Sequence, residues 1–190
     1  MQKTLIINGS PRIDGDTATL IKRLKAELYG EVVEISAFRS RIAPCVDCRS
    51  CITSRKCAVR DDMDLIYADD FGSAIIASPV YYMTLPGQML SLMSRFQLYH
   101  EQMNEKKIPV GIRPKKAGLI LTAGGKGNED GAMHHIRVFF RMLNAHGFEK
   151  HKVLSAKTDT LPAAQDKTAH AGISALAAWL NENPQEKGSE

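Results

Sequence analysis

The sequence predicts an α/β fold in which a parallel sheet is wound on both faces by helices. Short apolar segments of strand length alternate along the chain with longer segments whose apolar residues recur every three or four positions. Strands that alternate with helices pair in parallel through right-handed crossovers, which place helices on both faces of the sheet. The 190 residues, 44% hydrophobic and 24% charged, suit one domain and argue against a disordered or fibrous protein. We expect that domain over residues 1–182 and a polar tail over residues 183–190.

Five apolar segments are the predicted strands, at residues 3–8, 32–35, 73–78, 117–122 and 151–154. The first predicted helix covers residues 16–29, and a short one starts near residue 61. The apolar stripes of three more helices lie at residues 85–96, 133–143 and 173–180. The carboxylates of Asp61-Asp62 suit a helix N-terminus, and Asn183-Pro184 ends the last helix. Two stretches break the alternation: residues 43–60, too rich in Arg, Ser and Cys for a core, and residues 101–114, a connecting loop or arm.

The charge pattern limits the classes of partner. The net charge of +4 is mildly basic, and Lys106-Lys107 and the run 113–116 are predicted to be solvated loops. Neither run is long or interleaved with aromatic residues, so we expect no nucleic-acid binding. No apolar run approaches the roughly 18 residues that a membrane span needs, and none suits a signal peptide. We therefore expect a cytoplasmic protein that does not bind membranes.

The polar loop from Asn8 to Thr17, between the first strand and the first helix, predicts an anion site. Two glycines leave room for a ligand, and the free amides and dipole of the helix N-terminus attract an anion. Asp16 or Thr17 is the predicted cap of this helix. The loop matches neither G-x-G-x-x-G nor G-x-x-x-x-G-K-[ST], which excludes a dinucleotide Rossmann site and an NTPase.

Loops at three predicted strand ends share one edge of the sheet. They cover residues 9–17, 79–83 and 123–127. In doubly wound sheets, ligands bind beyond the carboxyl ends of the strands, where the strand order reverses. The three loops together therefore predict one ligand site.

The first loop, Asn-Gly-Ser-Pro-Arg leading through Gly-Asp-Thr into a helix, resembles that of the flavodoxin-like NAD(P)H-dependent FMN reductase family. The resemblance covers roughly residues 3–180 and is strongest in the first 100. It implies a three-layer, flavodoxin-like fold with strand order 2-1-3-4-5 and a loop that binds the FMN phosphate. Ser10, Asp16 and Thr17 would supply amide or hydroxyl donors and Arg12 a charge. The family more often has Asn at the position of Asp16.

The second and third loops resemble the walls of the flavin pocket in the same family. The segment Pro79, Val80, Tyr81, Tyr82 and Met83 would place amides and an aromatic ring around the isoalloxazine. Ala123, Gly124 and Gly125 would let the chain approach the ring closely, because they have little or no side chain. Where the family commonly ends its third helix with Asp-Arg, this chain has Ser94-Arg95.

All four cysteines fall in one 13-residue window with the spacing C-x2-C-x2-C-x5-C, which favours a metal or redox site over structural disulfides. Thiolates at these gaps can converge on a compact inorganic core. The spacing, followed by Asp61-Asp62-Met63, resembles the iron-sulfur flavoproteins, which implies a [4Fe-4S] cluster. The alternatives are free or redox-active thiols and a zinc site. The candidate ligands are Cys45, Cys48, Cys51 and Cys57.

No Ser-His-Asp set or carboxylate pair is evident, so we predict no catalytic side chain. The resemblance implies an oxidoreductase that reduces FMN with NAD(P)H. Electrons then pass to a quinone, a nitro or azo compound, a metal, an iron-sulfur acceptor or a redox partner protein. It also implies a homodimer or homotetramer. One alternative is a flavodoxin-type electron carrier, against which the positive charge argues, since such carriers tend to be acidic. Another is a redox- or metal-responsive protein that works through its cysteines.

Overall fold

The computed structural model describes residues 2–103, 109 and 111–182, and its centre is a parallel sheet. The strands in the described part of the chain are β1 (Lys3–Asn8), β2 (Glu31–Ser36), β3 (Ser73–Pro79), β4 (Lys115–Ala123), β5 (Ala145–His146) and β6 (Lys152–Ala156). Their order is β2-β1-β3-β4-β5, and β6 also pairs with β4. The predicted order 2-1-3-4-5 is confirmed.

The fifth position of the sheet is divided between two strands. β5 pairs with Lys115 and Lys116 at the start of β4, whereas β6 pairs with residues 119–123. Between the two, the chain leaves the sheet through a turn at Gly147, whose φ of 98° favours glycine. The prediction of a single strand at residues 151–154 therefore described only the longer part of this edge.

Helices cover both faces of the sheet, as predicted. They are α1 (Asp16–Glu27), α2 (Ser50–Ser54), α3 (Asp64–Tyr67), α4 (Gly87–Ser94), α5 (Gln97–His100), α6 (Asp130–Met142) and α7 (Lys167–Asn181), with a short 3₁₀ turn at Ala163–Gln165. Side chains alternate between two cores along each central strand. In β1, Leu5 and Ile7 contribute to the core under α3 to α6, and Ile6 contributes to the core under α1 and α7.

Four expectations need correction or fall outside the described residues. The run 113–116 is not a solvated loop, because β4 begins at Lys115, whose buried side chain pairs with Asp69 and lies 5.1 Å from the Phe71 ring. Segment 43–60 is not wholly irregular, since it contains α2. Lys106-Lys107 and Asn183-Pro184 lie outside the described residues.

No helix in the described ranges is long and apolar enough to cross a membrane.

Candidate functional site

The carboxyl ends of β1, β3 and β4 enclose a cleft of about 720 Å³, part of it open to solvent. We call it the sheet-end cleft. Its lining residues are Ser10, Arg12, Gly15, Asp16, Thr17, Pro79, Val80, Tyr81, Thr122, Ala123, Gly124, Thr158 and Asp159. The three loops predicted to meet do so here. Tyr82, Met83 and Gly125, which were predicted with them, are not among the lining residues.

The loop after β1 is held in shape by its own polar groups. The buried side chain of Asn8 accepts a hydrogen bond from the Ser10 amide (2.8 Å) and donates one to Glu34 (2.8 Å). The Ser10 hydroxyl in turn accepts one from the Arg12 amide (3.2 Å), and Arg39 donates to the Ser10 carbonyl from outside the loop (3.3 Å). The amide and hydroxyl of Ser10 thus serve the loop itself.

The N-terminus of α1 opens into the cleft. The prediction that Asp16 or Thr17 caps this helix is wrong, because the cap is Gly15 and no side chain in the described part of the chain caps it. The Asp16 carboxylate accepts a hydrogen bond from the Ala163 amide (2.8 Å), and the Thr17 hydroxyl pairs with that of Thr122 (2.7 Å). The first amides of a helix have no partner within it, so this uncapped end can bind an anion.

Gly9 is required by packing at the start of this loop. A Cβ at Gly9 would lie 2.6 Å from both the Met89 side chain and the Ser78 hydroxyl. Real side chains essentially never approach that closely, so a larger residue would push α4 away from the loop. The glycine therefore fixes how closely α4 approaches the cleft.

The loop after β3 turns two of its predicted site residues outward. Tyr81 and Thr84 exchange backbone hydrogen bonds of 2.9 Å, which close a two-residue turn at Tyr82 and Met83. Both turn residues have positive φ, 49° and 63°, and Tyr82 is 98% exposed. Val80, in contrast, is held beside the cleft by a bond from its amide to the Thr122 carbonyl (2.8 Å).

Thr158 and Asp159, which were not predicted from the sequence as site residues, cover the loop after β4. The Thr158 amide bonds the Ala123 carbonyl (3.0 Å), which places Thr158 and Asp159 in the lining of the cleft. A Cβ on Gly124 would lie 2.5 Å from a carboxylate oxygen of Asp159. The absence of a side chain at Gly124 therefore leaves the space that the Asp159 carboxylate occupies. The signal available in the sequence was weak: a polar Thr-Asp-Thr after the last strand.

The four cysteines line a second pocket of about 420 Å³, part of it open to solvent, beside the ends of α4 and α5, which we call the cysteine cavity. All four thiols are free; Cys48 is exposed and the others are half-buried. Burial raises the pKa of Cys51, which packs with Cys57 against the larger core. Among the residues that the structure describes, no three His, Cys, Asp or Glu side chains are close enough to bind one metal ion. The thiols instead surround a shared space.

Arg95, at the end of α4, anchors residues 43–60, which we call the cysteine segment. One terminal nitrogen donates to the Ala43 carbonyl (2.9 Å) and to the Asp61 carboxylate (2.6 Å). The other donates to the Val59 carbonyl (3.1 Å) and to the sulfur of Cys57 (3.3 Å). The side chains of Arg95 and Asp61 are only 1% and 5% exposed. One guanidinium thus connects both ends of the segment to α4.

The aspartates before α3 have a different role from the predicted one. Helix α3 begins at Asp64, and Asp61 bonds the amides of Ala43 and Met63 as well as Arg95. Burial alone would raise the pKa of Asp61, but these hydrogen bonds and the charge of Arg95 outweigh it and lower that pKa. Asp62 accepts from the Arg41 amide (2.7 Å). The two carboxylates therefore anchor the cysteine segment.

The donor set of the cysteine cavity fits an electron-rich inorganic group. Arg95 lines the cavity, and its buried Nε has no hydrogen-bond partner among the described residues. The terminal nitrogen that bonds the Cys57 sulfur is the donor placed to stabilise a thiolate there, since hydrogen bonds to charged acceptors are stronger than those to neutral ones. The Ser94 hydroxyl also holds the cavity's rim, since it accepts from the Cys45 amide (2.9 Å). Sequence reasoning noted Ser94-Arg95 as a departure from a pattern and missed these contacts.

Comparison with known proteins gives one family. Residues 2–159 match the model of the NADPH-dependent FMN reductase family. An iron-sulfur flavoprotein of Methanocaldococcus jannaschii is 32% identical over 148 residues, which are 73% of this chain and 70% of that protein. One of Archaeoglobus fulgidus is 29% identical over 154 residues, 76% of this chain. That alignment spans 64% of the Archaeoglobus protein, so the relative is the longer of the two.

Solved structures confirm the fold. An FMN-dependent NADH-azoreductase from Bacillus anthracis, solved in complex with FMN, superposes with a TM-score of 0.72. The match covers 96% of this chain and all of the azoreductase, at 16% identity. The flavodoxin-like architecture predicted from the sequence is therefore confirmed.

Proposed function

This chain belongs to the NADPH-dependent FMN reductase family, and we propose that it is an oxidoreductase that binds FMN in the sheet-end cleft and reduces it with NADH or NADPH. The observation that carries the proposal is the uncapped N-terminus of α1, which opens between the loops that follow β3 and β4. An anion site beside a flat-walled cleft fits a phosphate joined to a planar ring.

The phosphate half of the cleft is assigned to the loop after β1. The first amides of α1, with the hydroxyl of Thr17, would donate to the phosphate, and Arg12 would add a positive charge. Ser10 shapes the loop through its contacts with Asn8 and Arg12. Asp16 contributes its amide, because its carboxylate is bonded to the 3₁₀ turn.

The ring half is assigned to the loops after β3 and β4. Pro79, Val80 and Tyr81 would flank one side of the ring, and Ala123 and Gly124 the other. Bound FMN supplies the hydride and single-electron chemistry, and the chain's own residues orient it and exclude water. Tyr82, Met83 and Gly125 do not line the cleft, so we assign them a smaller share of the binding.

We further propose that the cysteine cavity holds a [4Fe-4S] cluster through Cys45, Cys48, Cys51 and Cys57. Four free thiols around one cavity, next to a buried guanidinium donor, support this over unligated thiols. Iron-sulfur flavoproteins are also among the relatives that this chain resembles. Held by these four cysteines, a cluster would supply single-electron transfer toward an acceptor such as a quinone, a nitro or azo compound, a metal or a partner protein.

FMN binding is tested by fluorescence titration of the flavin-free protein. The variant Arg12→Ala/Thr17→Ala should bind FMN at least about tenfold more weakly, since it loses a charge and a hydroxyl from the phosphate site. Arg137→Ala/Thr168→Ala, which changes the same residue types at exposed positions outside the cleft, should bind as the wild type does. Equal affinity in all three proteins would remove the phosphate-site assignment.

Anaerobic addition of NADH or NADPH separates the enzyme from a carrier. The proposed enzyme loses its flavin absorbance within seconds and regains it when a quinone or an azo compound is added. Flavin that stays oxidised with both nicotinamides would favour the flavodoxin-type carrier. Protein without flavin would favour the cysteine-based responsive protein.

The cluster is tested by iron analysis of anaerobically purified protein. Cys48→Ser should lose the iron and its visible absorbance but retain FMN, because the two sites are lined by different residues. Thr53→Ser, in the same segment, should keep both. Iron-free wild-type protein prepared without oxygen would contradict the cluster and leave the FMN proposal intact.

The proposal includes two properties of the whole protein. We propose a homodimer or homotetramer, which light scattering after gel filtration will distinguish from a monomer. We also propose a cytoplasmic location, which cell fractionation tests directly.

A further inference from the structure

We propose that Arg95, held in place by Asp61, is a positioning residue that fixes Cys57 and sets the reduction potential of the centre in the cysteine cavity. The inference rests on the proposed [4Fe-4S] centre and goes beyond it by assigning two residues outside the thiol set. Its basis is the hydrogen bond from Arg95 to the Cys57 sulfur (3.3 Å) and the ion pair with Asp61 (2.6 Å).

The contact with Cys57 is additional to what the loop's shape requires. Arg95 already holds the segment through the carbonyls of Ala43 and Val59. Those two bonds satisfy backbone carbonyls at either end of the cysteine segment. The bond to Cys57 instead reaches a predicted ligand, and Arg95 is itself one of the residues that line the cavity.

The charges around Cys57 act at short range and with little screening. The Arg95 and Asp61 side chains are 1% and 5% exposed, so solvent and salt weaken their effect less than they would at the surface. Reduction adds one electron and one negative charge to the centre. An N–H···S bond and a nearby positive charge stabilise that added charge and raise the potential. Asp61 partly offsets the positive charge.

The two residues should therefore have opposite effects. Arg95→Lys keeps the positive charge but cannot hold Asp61 and Cys57 at once with a planar fork, so the potential should fall. Asp61→Asn removes the neighbouring negative charge, while the bonds from Arg95 to Ala43, Val59 and Cys57 do not involve Asp61 and keep the guanidinium beside Cys57, so the potential should rise. If the two substitutions merely loosened the loop, the reduction potential would shift in the same direction in both variants.

The experiment is a potentiometric titration of the anaerobically purified holoenzyme, followed by the electron paramagnetic resonance of the reduced centre. We expect shifts of opposite sign, each at least tenfold in the equilibrium constant, which is about 59 mV for a one-electron couple. Asp64→Asn, whose carboxylate pairs with the exposed Arg60, is the matched control and should leave the potential unchanged.

Each other outcome decides against the inference. Shifts of the same sign, or none in either variant, would show that Arg95 and Asp61 only hold the loop. If Arg95→Lys loses iron, the Asp61→Asn shift decides alone, and a fall or no change there overturns the inference. Absence of iron in the wild type removes the centre and this inference together, whereas retained FMN would leave the reductase proposal standing.

Discussion

Thr17→Val separates the stability of the sheet-end cleft from its affinity for FMN. The hydroxyls of Thr17 and Thr122 lie 2.7 Å apart, and their residues are 2% and 3% exposed. Valine has nearly the shape of threonine, so the substitution leaves the Thr122 hydroxyl buried without its partner. That loss should cost about 1–3 kcal/mol in the free energy of unfolding. Thr122→Val should cost a similar amount for the same reason.

The double variant Thr17→Val/Thr122→Val should recover most of that stability. When both polar partners are replaced by apolar groups of the same shape, no buried hydroxyl is left unsatisfied, and the net cost approaches zero. FMN affinity should not recover. A hydrogen bond to a charged group is worth about 1.5–3 kcal/mol, so both variants without the Thr17 hydroxyl should bind FMN roughly 10- to 100-fold more weakly.

Urea unfolding of the flavin-free proteins and fluorescence titration with FMN measure the two effects. Thr168→Val, an exposed threonine on α7, is the control for both and should change neither. Full FMN affinity in the double variant would show that Thr17 does not contact the phosphate. A single variant as stable as the wild type would refute the buried hydroxyl pair.

Three further outcomes follow from the geometry. Gly124→Ala should weaken FMN binding about tenfold in a fluorescence titration, because its Cβ would meet a carboxylate at 2.5 Å, whereas Gly125→Ala has no heavy atom within 4 Å and should bind normally. Burial lowers the pKa of His151, so the unfolded chain takes up the proton first and stability should fall as the pH drops below 6.5. The fluorescence of Trp179, whose ring is stacked 3.7 Å from that of His151, reports the protonation of His151 in the folded protein. A midpoint at or above pH 6.5 would contradict the lowered pKa. Met83→Gly relieves a φ of 63° and should stabilise by roughly 0.5–1 kcal/mol in urea unfolding, after the entropic cost of glycine. Unchanged or lower stability would show that this turn is not strained.

The central strands and the phosphate loop could be predicted because their signals are local. The strand Lys3–Asn8 and the stripe Leu20, Ile21, Leu24 carry their burial pattern within a few residues. The loop between them lies at the end of a central strand wherever the rest of the chain goes. The contacts of its side chains could not be predicted, because some involve distant residues: the carboxylate of Asp16 accepts a hydrogen bond from the amide of Ala163, 147 residues later.

The support of the cysteine cavity could not be predicted for the same reason. Arg95 lies 34 residues from Asp61 and 38 from Cys57, and nothing local marks the three as neighbours. Similarly, the two-residue turn that points Tyr82 outward follows from backbone pairing that residue types alone do not specify. Residue types and spacing could only nominate candidate site residues, and the tertiary contacts decided which of them meet.

The most direct test of the reductase proposal is an anaerobic reductive titration with NADPH, or with NADH if NADPH is inert, followed by absorbance. The protein as purified should accept about three electrons per chain, two at the flavin and one at the iron-sulfur centre, and flavin absorbance should disappear during the titration. An uptake of about two electrons would support the reductase and, if the protein also contains no iron, exclude the cluster. Flavin that neither nicotinamide reduces, or protein without flavin, would contradict the central claim.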